Sequence, residues 1–231
     1  MKLIVTTLVG VLLSISAAAQ ERSITEAEFT EISSKVQAGI ARGDHGPWRM
    51  TVETDTSTEG RPEITYQLRS VTRTVPGQGS HRVENRSMGG KPTKYESIAL
   101  IDRSFSRTDD GKWVAVAVKS RPADEPARNP ADTSQAIERR VEFVFNGVET
   151  HGNRKVNVYT KTEFKKNLNT ASGSTSESSS VTKLRISPDG KYYRYETRSA
   201  TLAGRGTAGT IRITIDMEAD PTITIAAPDT A

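Results

Sequence analysis

Residues 211–217 read Ile-Arg-Ile-Thr-Ile-Asp-Met, an unbroken alternation of apolar and polar side chains. Successive side chains of a β-strand point to opposite faces of its sheet, so this period of two predicts a strand with one apolar face. The same alternation occurs from Trp48 to Val52 and from Glu63 to Leu68. Strands of this kind are half buried, and half-buried strands are typical of antiparallel sheets.

The alternation continues along much of the chain, with turn signals between its segments. Further strands are predicted at 80–86, 95–101, 103–108, 112–119, 141–145, 155–164, 181–186 and 191–201. Asp109-Asp110-Gly111 and Ser187-Pro188-Asp189-Gly190 are typical of tight turns between neighbouring strands. We therefore expect a mainly β (α+β) protein, an antiparallel open or half β-barrel of about ten strands, and the pattern excludes a parallel βαβ sheet.

One helix is predicted at 24–40, ahead of the first strand. Thr25 as N-cap with Glu28 three residues later forms a capping box, and Gly43 provides a stop. The helix has one narrow apolar stripe, formed by Phe29, Ile32, Val36 and Ile40. A second short helix is a further candidate at 132–140.

The N-terminus has the features of a secretory signal peptide at 1–19. Lys2 precedes an uncharged run from Leu3 to Ile15, and Ser16-Ala17-Ala18-Ala19 ends it with small residues. The run is shorter than the ~20 apolar residues of a membrane span, so no stable span is expected. We expect a mature chain that begins at Gln20 and is periplasmic or secreted, without a lipid anchor because the chain has no Cys for a lipobox.

The mature chain, 20–231, is predicted to form a single domain. Only 34% of the 231 residues are hydrophobic, so the core must be thin, which favours an open sheet. Three prolines in 120–131 indicate a surface crossing between two parts of the sheet. The Ser-rich stretch 170–180 is predicted to be a flexible hairpin tip.

No catalytic or metal-binding constellation is visible in the sequence. The chain has no Cys, and His45, His81 and His151 lie far apart without metal-ligand spacing. No nucleophile elbow or nucleotide-binding loop is present. Basic and acidic residues alternate rather than forming a basic block, which argues against nucleic acid as a partner. We expect no catalytic residue, no metal, no cofactor and no enzymatic activity.

Apolar and aromatic side chains on the strands admit two interpretations. They pack as an ordinary core, or they line an unfilled apolar cavity that holds a hydrophobic ligand. Periodicity does not distinguish the two, and core packing is the more common outcome.

Several segments together resemble the LolA-like periplasmic lipoprotein carriers and their LppX-like relatives. These segments are Trp48-Arg49-Met50-Thr51-Val52, Glu96-Ser97-Ile98 through Phe105 to Asp110-Gly111-Lys112-Trp113, Lys183-Leu184-Arg185-Ile186-Ser187-Pro188-Asp189-Gly190-Lys191, and Ile213-Thr214-Ile215-Asp216 to 220–228. The resemblance implies a half-barrel of about ten strands, helices as a lid and a hydrophobic cavity between them. Helix 24–40 is the lid candidate. No residue of this chain matches a family contact with a partner transporter.

These observations lead to a prediction of function with named candidate residues. We expect a soluble periplasmic, non-enzymatic binding protein that shelters a lipid or other hydrophobic small molecule, with a lipoprotein or envelope protein as further candidate partners and a monomer favoured. The candidate cavity-lining residues are Phe29, Ile32, Val36, Met50, Val52, Tyr66, Leu68, Trp113, Phe143, Phe145, Tyr195, Ile211, Ile213 and Ile215. The alternative is an interaction module that binds an envelope protein through exposed strands or loops, without a cavity. An enzyme is the third reading, and it would need His45, His81 and acidic residues to share a cleft.

Overall fold

The computed structural model describes residues 21–61, 65–116, 134–170, 172–203 and 208–229. The predicted signal peptide at 1–19 and the Pro-rich crossing at 120–131 lie outside these residues. The elements in chain order are β1 (Arg22–Ser23), α1 (Glu26–Arg42), β2 (Trp48–Thr58), β3 (Tyr66–Val75), β4 (Gly79–Met88), β5 (Lys91–Leu100), β6 (Ser104–Thr108), β7 (Val114–Val116), β8 (Ser134–His151), β9 (Arg154–Asn169), β10 (Thr175–Ile186), β11 (Tyr192–Ala203) and β12 (Gly209–Ala219).

The strands form one open antiparallel sheet in the order β1-β8-β9-β10-β11-β12-β2-β3-β4-β5-β6-β7. The mainly β, antiparallel prediction is confirmed, but the sheet has twelve strands, so the predicted number of about ten is wrong. One strand was missed because β1 spans two residues, which is too short to show a period of two. Most neighbours in the sheet are neighbours in sequence, since tight turns connect them.

Two pairings join strands that are far apart in the sequence, namely the short one of β1 with β8 and the long one of β12 with β2. β12 lies between β11 and β2, and its register with β2 runs from Gly209 opposite Thr58 to Ala219 opposite Trp48. This pairing brings the last strand beside the first long one. We call it the β12–β2 seam.

The start of α1 has the predicted capping box. The backbone N–H of Thr25 donates to Glu28 Oε2 at 2.7 Å, and the N–H of Glu28 donates to Thr25 Oγ1 at 3.2 Å. The helix ends at Arg42, two residues beyond the predicted end, and Gly43 follows with a φ of 71°. Glycine adopts this left-handed conformation without a steric cost, which explains the stop at this position.

The predicted second helix at 132–140 is wrong where the structure describes it. Residues 134–140 belong to β8, and Glu138 and Arg140 lie opposite Lys166 and Phe164 of β9. The apolar residues of this part of β8, Ala136 and Ile137, are adjacent, so its sequence lacks the alternation that marks the other strands. The long neighbouring strand supplies the backbone partners, and this tertiary context overrides local preference.

The Ser-rich stretch is only in part a hairpin tip. β10 begins at Thr175, and Ser178 lies opposite Lys165 of β9 and Thr201 of β11. The prediction of a flexible tip through 180 is therefore wrong for 175–180. The turn occupies the residues before Thr175, where the N–H of Gly173 donates to the carbonyl of Asn169 at 2.8 Å.

The sheet has two different faces, which the register identifies because directly opposite residues point to the same side. The helix face is the side on which Leu184, Ile186 and Tyr193 form a buried cluster under α1. The other face carries a second buried cluster, made of Val156, Val158 and Tyr192. From β10 to β3, arginine side chains follow this second face, and we call it the arginine face.

Candidate functional site

α1 packs by its apolar stripe on one part of the helix face. Phe29, Ile32 and Val36 contact the cluster of Leu184, Ile186 and Tyr193, and Leu184 is only 1% exposed. The half-buried side chains that pack on the same cluster are Tyr159, Tyr195 and Met217. The ring of Phe29 also lies 5.3 Å from that of Phe143, and the ring of Phe145 lies 5.1 Å from that of Tyr159. The helix therefore covers the β8 to β12 part of this face.

The apolar surface continues from α1 onto the neighbouring strands. Met217 lies opposite Met50, and Ile215 lies opposite Val52, so both pairs point to the helix face. The continuing residues, which we call the apolar strip, are Met50, Val52, Tyr66, Leu68, Ile211, Ile213 and Ile215. These side chains are half buried, except Ile211, which is 44% exposed.

The dimensions of the apolar strip follow from strand geometry. At about 3.3 Å per residue, the strip runs about 20 Å in the strand direction, from Ile211 on β12 to the level of Met50, which lies opposite Met217. Its three strands span about 10 Å at ~4.8 Å each. Half of a bilayer's hydrocarbon core is about 15 Å thick. The strip is thus long enough for one extended membrane acyl chain.

The structure brings most of the predicted cavity residues onto one face. Trp113 lies elsewhere: the guanidinium of Arg107 lies 4.7 Å from its ring centroid, and Arg107 pairs with Glu96 on the arginine-face side of the sheet. The other predicted residues all lie on the helix face or on α1. The sequence-based list missed Leu184, Ile186 and Tyr193, although the alternation in 181–186 and 191–201 contains them.

Buried carboxylates with several cations flank the apolar surface on both sides. On β9, Glu163 is 7% exposed and accepts from Lys161 at 2.7 Å, from Arg139 at 2.8 Å and from Lys165 at 3.2 Å. Burial alone would raise the pKa of Glu163, but the hydrogen bonds from these cations outweigh it and lower the pKa to about 2. The carboxylate is therefore ionised at neutral pH and holds the three cations in place.

The second buried carboxylate, Glu84 on β4, lies next to the apolar strip. Arg82 and Arg86 both pair with it, the latter at 2.6 Å, and Arg82 Nε donates to Ser70 Oγ at 3.0 Å. Arg86 is directly opposite Leu68, so its guanidinium borders the strip. Both arginine side chains are about half exposed.

A small apolar pocket lies at the C-terminal end of α1. It has a volume of about 10 Å³ and is lined by residues that include His45, Trp48, Tyr193 and Met217. A Cβ atom on Gly39 or on Gly190 would lie 3.3 Å from the His45 ring, so both glycines leave room for that ring. The pocket therefore marks the contact between the helix end and the sheet.

The remaining histidines lie in other surroundings. His81 Nε2 is 2.7 Å from Glu96 Oε1, and the His151 ring stacks on Tyr192 with centroids 5.6 Å apart. In the described part of the chain, no group of three His, Asp or Glu side chains could hold a metal ion. Among the same residues, no helix is long and apolar enough to cross a membrane.

Comparison with known proteins finds distant structural likenesses only. No protein-family model matches the chain, and no curated protein matches its sequence. A LolA superfamily protein from Nitrosomonas europaea has a TM-score of 0.27 and 9% identity, with 84% of this chain and 95% of that chain covered. A DUF1329 family protein from Desulfovibrio piger has a TM-score of 0.26 and 8% identity, with 84% and 94% covered. The resemblance to LolA-like proteins noted in the sequence is thus found again as a distant similarity. Both TM-scores are below 0.5, so these likenesses indicate no function for the chain.

Proposed function

We propose that the chain is a non-enzymatic periplasmic protein that binds one acyl chain of a lipid or lipid-modified ligand along the apolar strip, with α1 as a lid. The proposal is carried by one observation: the half-buried apolar strip continues directly from the cluster under α1. Burying an acyl chain requires no covalent chemistry and is worth about 0.8 kcal/mol per CH₂. A strip about 20 Å long can therefore supply useful affinity without any catalytic group.

The proposal gives the two parts of the helix face different roles. The cluster of Leu184, Ile186 and Tyr193 packs against α1 in the closed position, since its members are nearly fully buried. The apolar strip, whose members are less buried, receives the ligand. A lid of this kind admits and releases ligand when the helix moves away from the sheet.

Export to the periplasm is supported by the signal-peptide features of residues 1–19. The mass of the protein recovered from a periplasmic extract tests this part, and we expect a mature chain that begins at Gln20. A chain recovered from the cytoplasm with Met1 retained would contradict it.

The binding test uses one strip variant and one matched control. We expect Ile213→Asp to weaken binding of a fluorescent long-chain fatty acid by at least about tenfold, because an ionised carboxylate in the strip opposes burial of an acyl chain. The matched control is Val181→Asp, which adds the same charge to a 47% exposed valine on the arginine face. Fluorescence titration measures both variants, and circular dichroism confirms that each is folded.

Three results are informative. Loss of binding in Ile213→Asp with unchanged binding in Val181→Asp supports the proposal. A folded Ile213→Asp protein that binds like the wild type refutes it. Wild-type protein that is stable, carries no extractable lipid and takes up no fatty acid would favour instead an interaction module for an envelope protein.

A further inference from the structure

The arginine face contains three pairs of arginines that lie directly opposite each other on adjacent strands. The pairs are Arg185 with Arg194, Arg198 with Arg212, and Arg49 with Arg73. Like charges in directly opposite positions destabilise a sheet. Anionic groups close to the guanidiniums would offset this repulsion.

Neighbouring carboxylates relieve the repulsion only in part. Glu196 lies within 4 Å of Arg185, Arg198 and Arg212, so one carboxylate serves three guanidiniums. Arg194 has its own partner, because its Nη1 donates to Asp216 Oδ2 at 2.9 Å.

Arg185 shows the shortage of acceptors most clearly. Its side chain is 15% exposed, and its distances to Glu149 and Glu196 are 3.6 and 3.8 Å. Its Nε is buried and has no hydrogen-bond partner among the described residues. A buried N–H without an acceptor lowers the free energy of unfolding, so an acceptor placed near Arg185 Nε would stabilise the folded protein.

Next to these residues a groove of about 420 Å³ opens on the arginine face. Its charged lining comprises four arginines and two carboxylates, namely Arg49, Arg69, Arg73, Arg194, Asp216 and Glu218. Arg49 donates to Glu218 at 3.1 Å, and Arg154 pairs with the same carboxylate. Within the described part of the chain, Arg73 has no ion pair, although it lies opposite Arg49 and near Asp220.

We propose that this arginine groove binds a small, multiply charged, phosphate-bearing anion, with Arg73 as its central contact. Guanidinium groups match phosphate oxygens in geometry and charge. The groove volume falls in the usual range for small-molecule sites, ~300–1,000 Å³. Among the described residues, the aromatic rings that line the groove are those of Tyr192 and His151, and they stack on each other. A groove with so little stacking surface is unlike a single-stranded nucleic-acid site. The anion site lies on the opposite face from the apolar strip, so it stands independently of the proposed function.

The test is a titration of the full mature protein with inorganic pyrophosphate by calorimetry at low ionic strength. We expect Arg73→Ala to weaken binding by at least about tenfold, the usual effect of losing one charge-assisted hydrogen bond. The matched control is Arg103→Ala, which removes a 59% exposed arginine paired with its neighbour Asp102. Unchanged binding in the control, with loss in Arg73→Ala, supports the site.

A second measurement separates a binding role from a structural one. Without ligand, Arg73→Ala should unfold at a temperature about 1–4 °C higher than the wild type, because it removes a like-charge pair. A variant that unfolds at a lower temperature and also loses binding would show that Arg73 serves the sheet, and would overturn the proposal.

Co-sedimentation with vesicles identifies the source of the phosphate. Binding to phosphatidylcholine vesicles that contain phosphatidylglycerol, but not to phosphatidylcholine alone, would assign the site to a lipid headgroup if Arg73→Ala abolishes it. Binding of pyrophosphate alone would assign it to a free anion. No binding in either experiment, equal loss in Arg103→Ala, or tighter Arg73-dependent binding of a single-stranded oligonucleotide would each overturn the proposal.

Discussion

The buried carboxylate of Glu163 shows how a single residue stabilises the edge of the apolar surface. Its three cationic partners come from β8 and β9, so it ties these two strands together beside α1. Arg139 also lies 3.4 Å from Glu26 in the first turn of α1, which extends the same network to the helix. Glu163 therefore links the sheet, through Arg139, to the start of α1.

The low pKa of Glu163 makes this part of the stability dependent on pH. The folded-state pKa is about 2, below the ordinary value of 4.5, so the carboxylate stabilises the folded state above pH 4.5 and this stabilisation is lost as the pH falls towards 2. The difference corresponds to about 3 kcal/mol in the free energy of unfolding.

We expect Glu163→Gln to lower the free energy of unfolding by about 3 kcal/mol at neutral pH, and by much less near pH 2, where the wild type has lost the charge. Urea unfolding across this pH range measures the difference. Glu142→Gln, at an exposed position on β8, is the control and should change little. An equal difference between wild type and Glu163→Gln at both pH values would contradict the assignment.

At the scale of elements, α1 is the part that the sequence predicted most accurately. Its capping box, apolar stripe and glycine stop are signals within a short stretch of sequence. The helix could therefore be predicted without knowledge of its tertiary contacts. Alternation and turn residues located the strands from β2 to β7 in the same way, but the predicted ends of β2 and β3, at 52 and 68, fall short of Thr58 and Val75. The strand at 134–140 was missed because only its pairing with β9 defines it.

The candidate site was predictable only in part, for a physical reason. Alternation identifies which side chains of one strand share a face, but it does not say which strands become neighbours. Ile215 and Val52 become neighbours through the β12–β2 seam, and no local sequence pattern predicts this pairing. The arginine pairs depend on the residue-by-residue register of the β10–β11, β11–β12 and β2–β3 pairings, which alternation alone does not determine.

The lid role of α1 can be tested by tying it to the sheet. The chain has no Cys, so a variant with Phe29→Cys and Phe143→Cys can be joined by a short thiol cross-linker at a place where the two rings now lie 5.3 Å apart. If the helix must move for release, cross-linked protein loaded with fatty acid should release it at least about tenfold more slowly than the same variant left reduced. Stopped-flow fluorescence measures the rate. Equal rates would show that α1 is not the gate.

For the whole molecule, the order of strands predicts where the sheet is most stable. β10, β11, β12 and β2 are paired on both sides over ten or more residues in most cases, whereas β1 has two residues and β7 has three. Local opening is easiest where few pairings hold a strand. Hydrogen exchange should therefore be slowest in β10 to β2 and fastest in β1 and β7. Rapid exchange in β12 would show that the β12–β2 seam is weak.

The β12–β2 seam also has a consequence for how the protein folds. β2 can pair early with β3, its neighbour in sequence, but its other edge stays open until residues 209–219 reach it. Joining two segments so distant in the chain is slow, and an unpaired strand edge can capture another chain in the meantime. The sheet is therefore complete only once residues 209–219 have joined β2, and until then the open edge of β2 is the place where aggregation would begin.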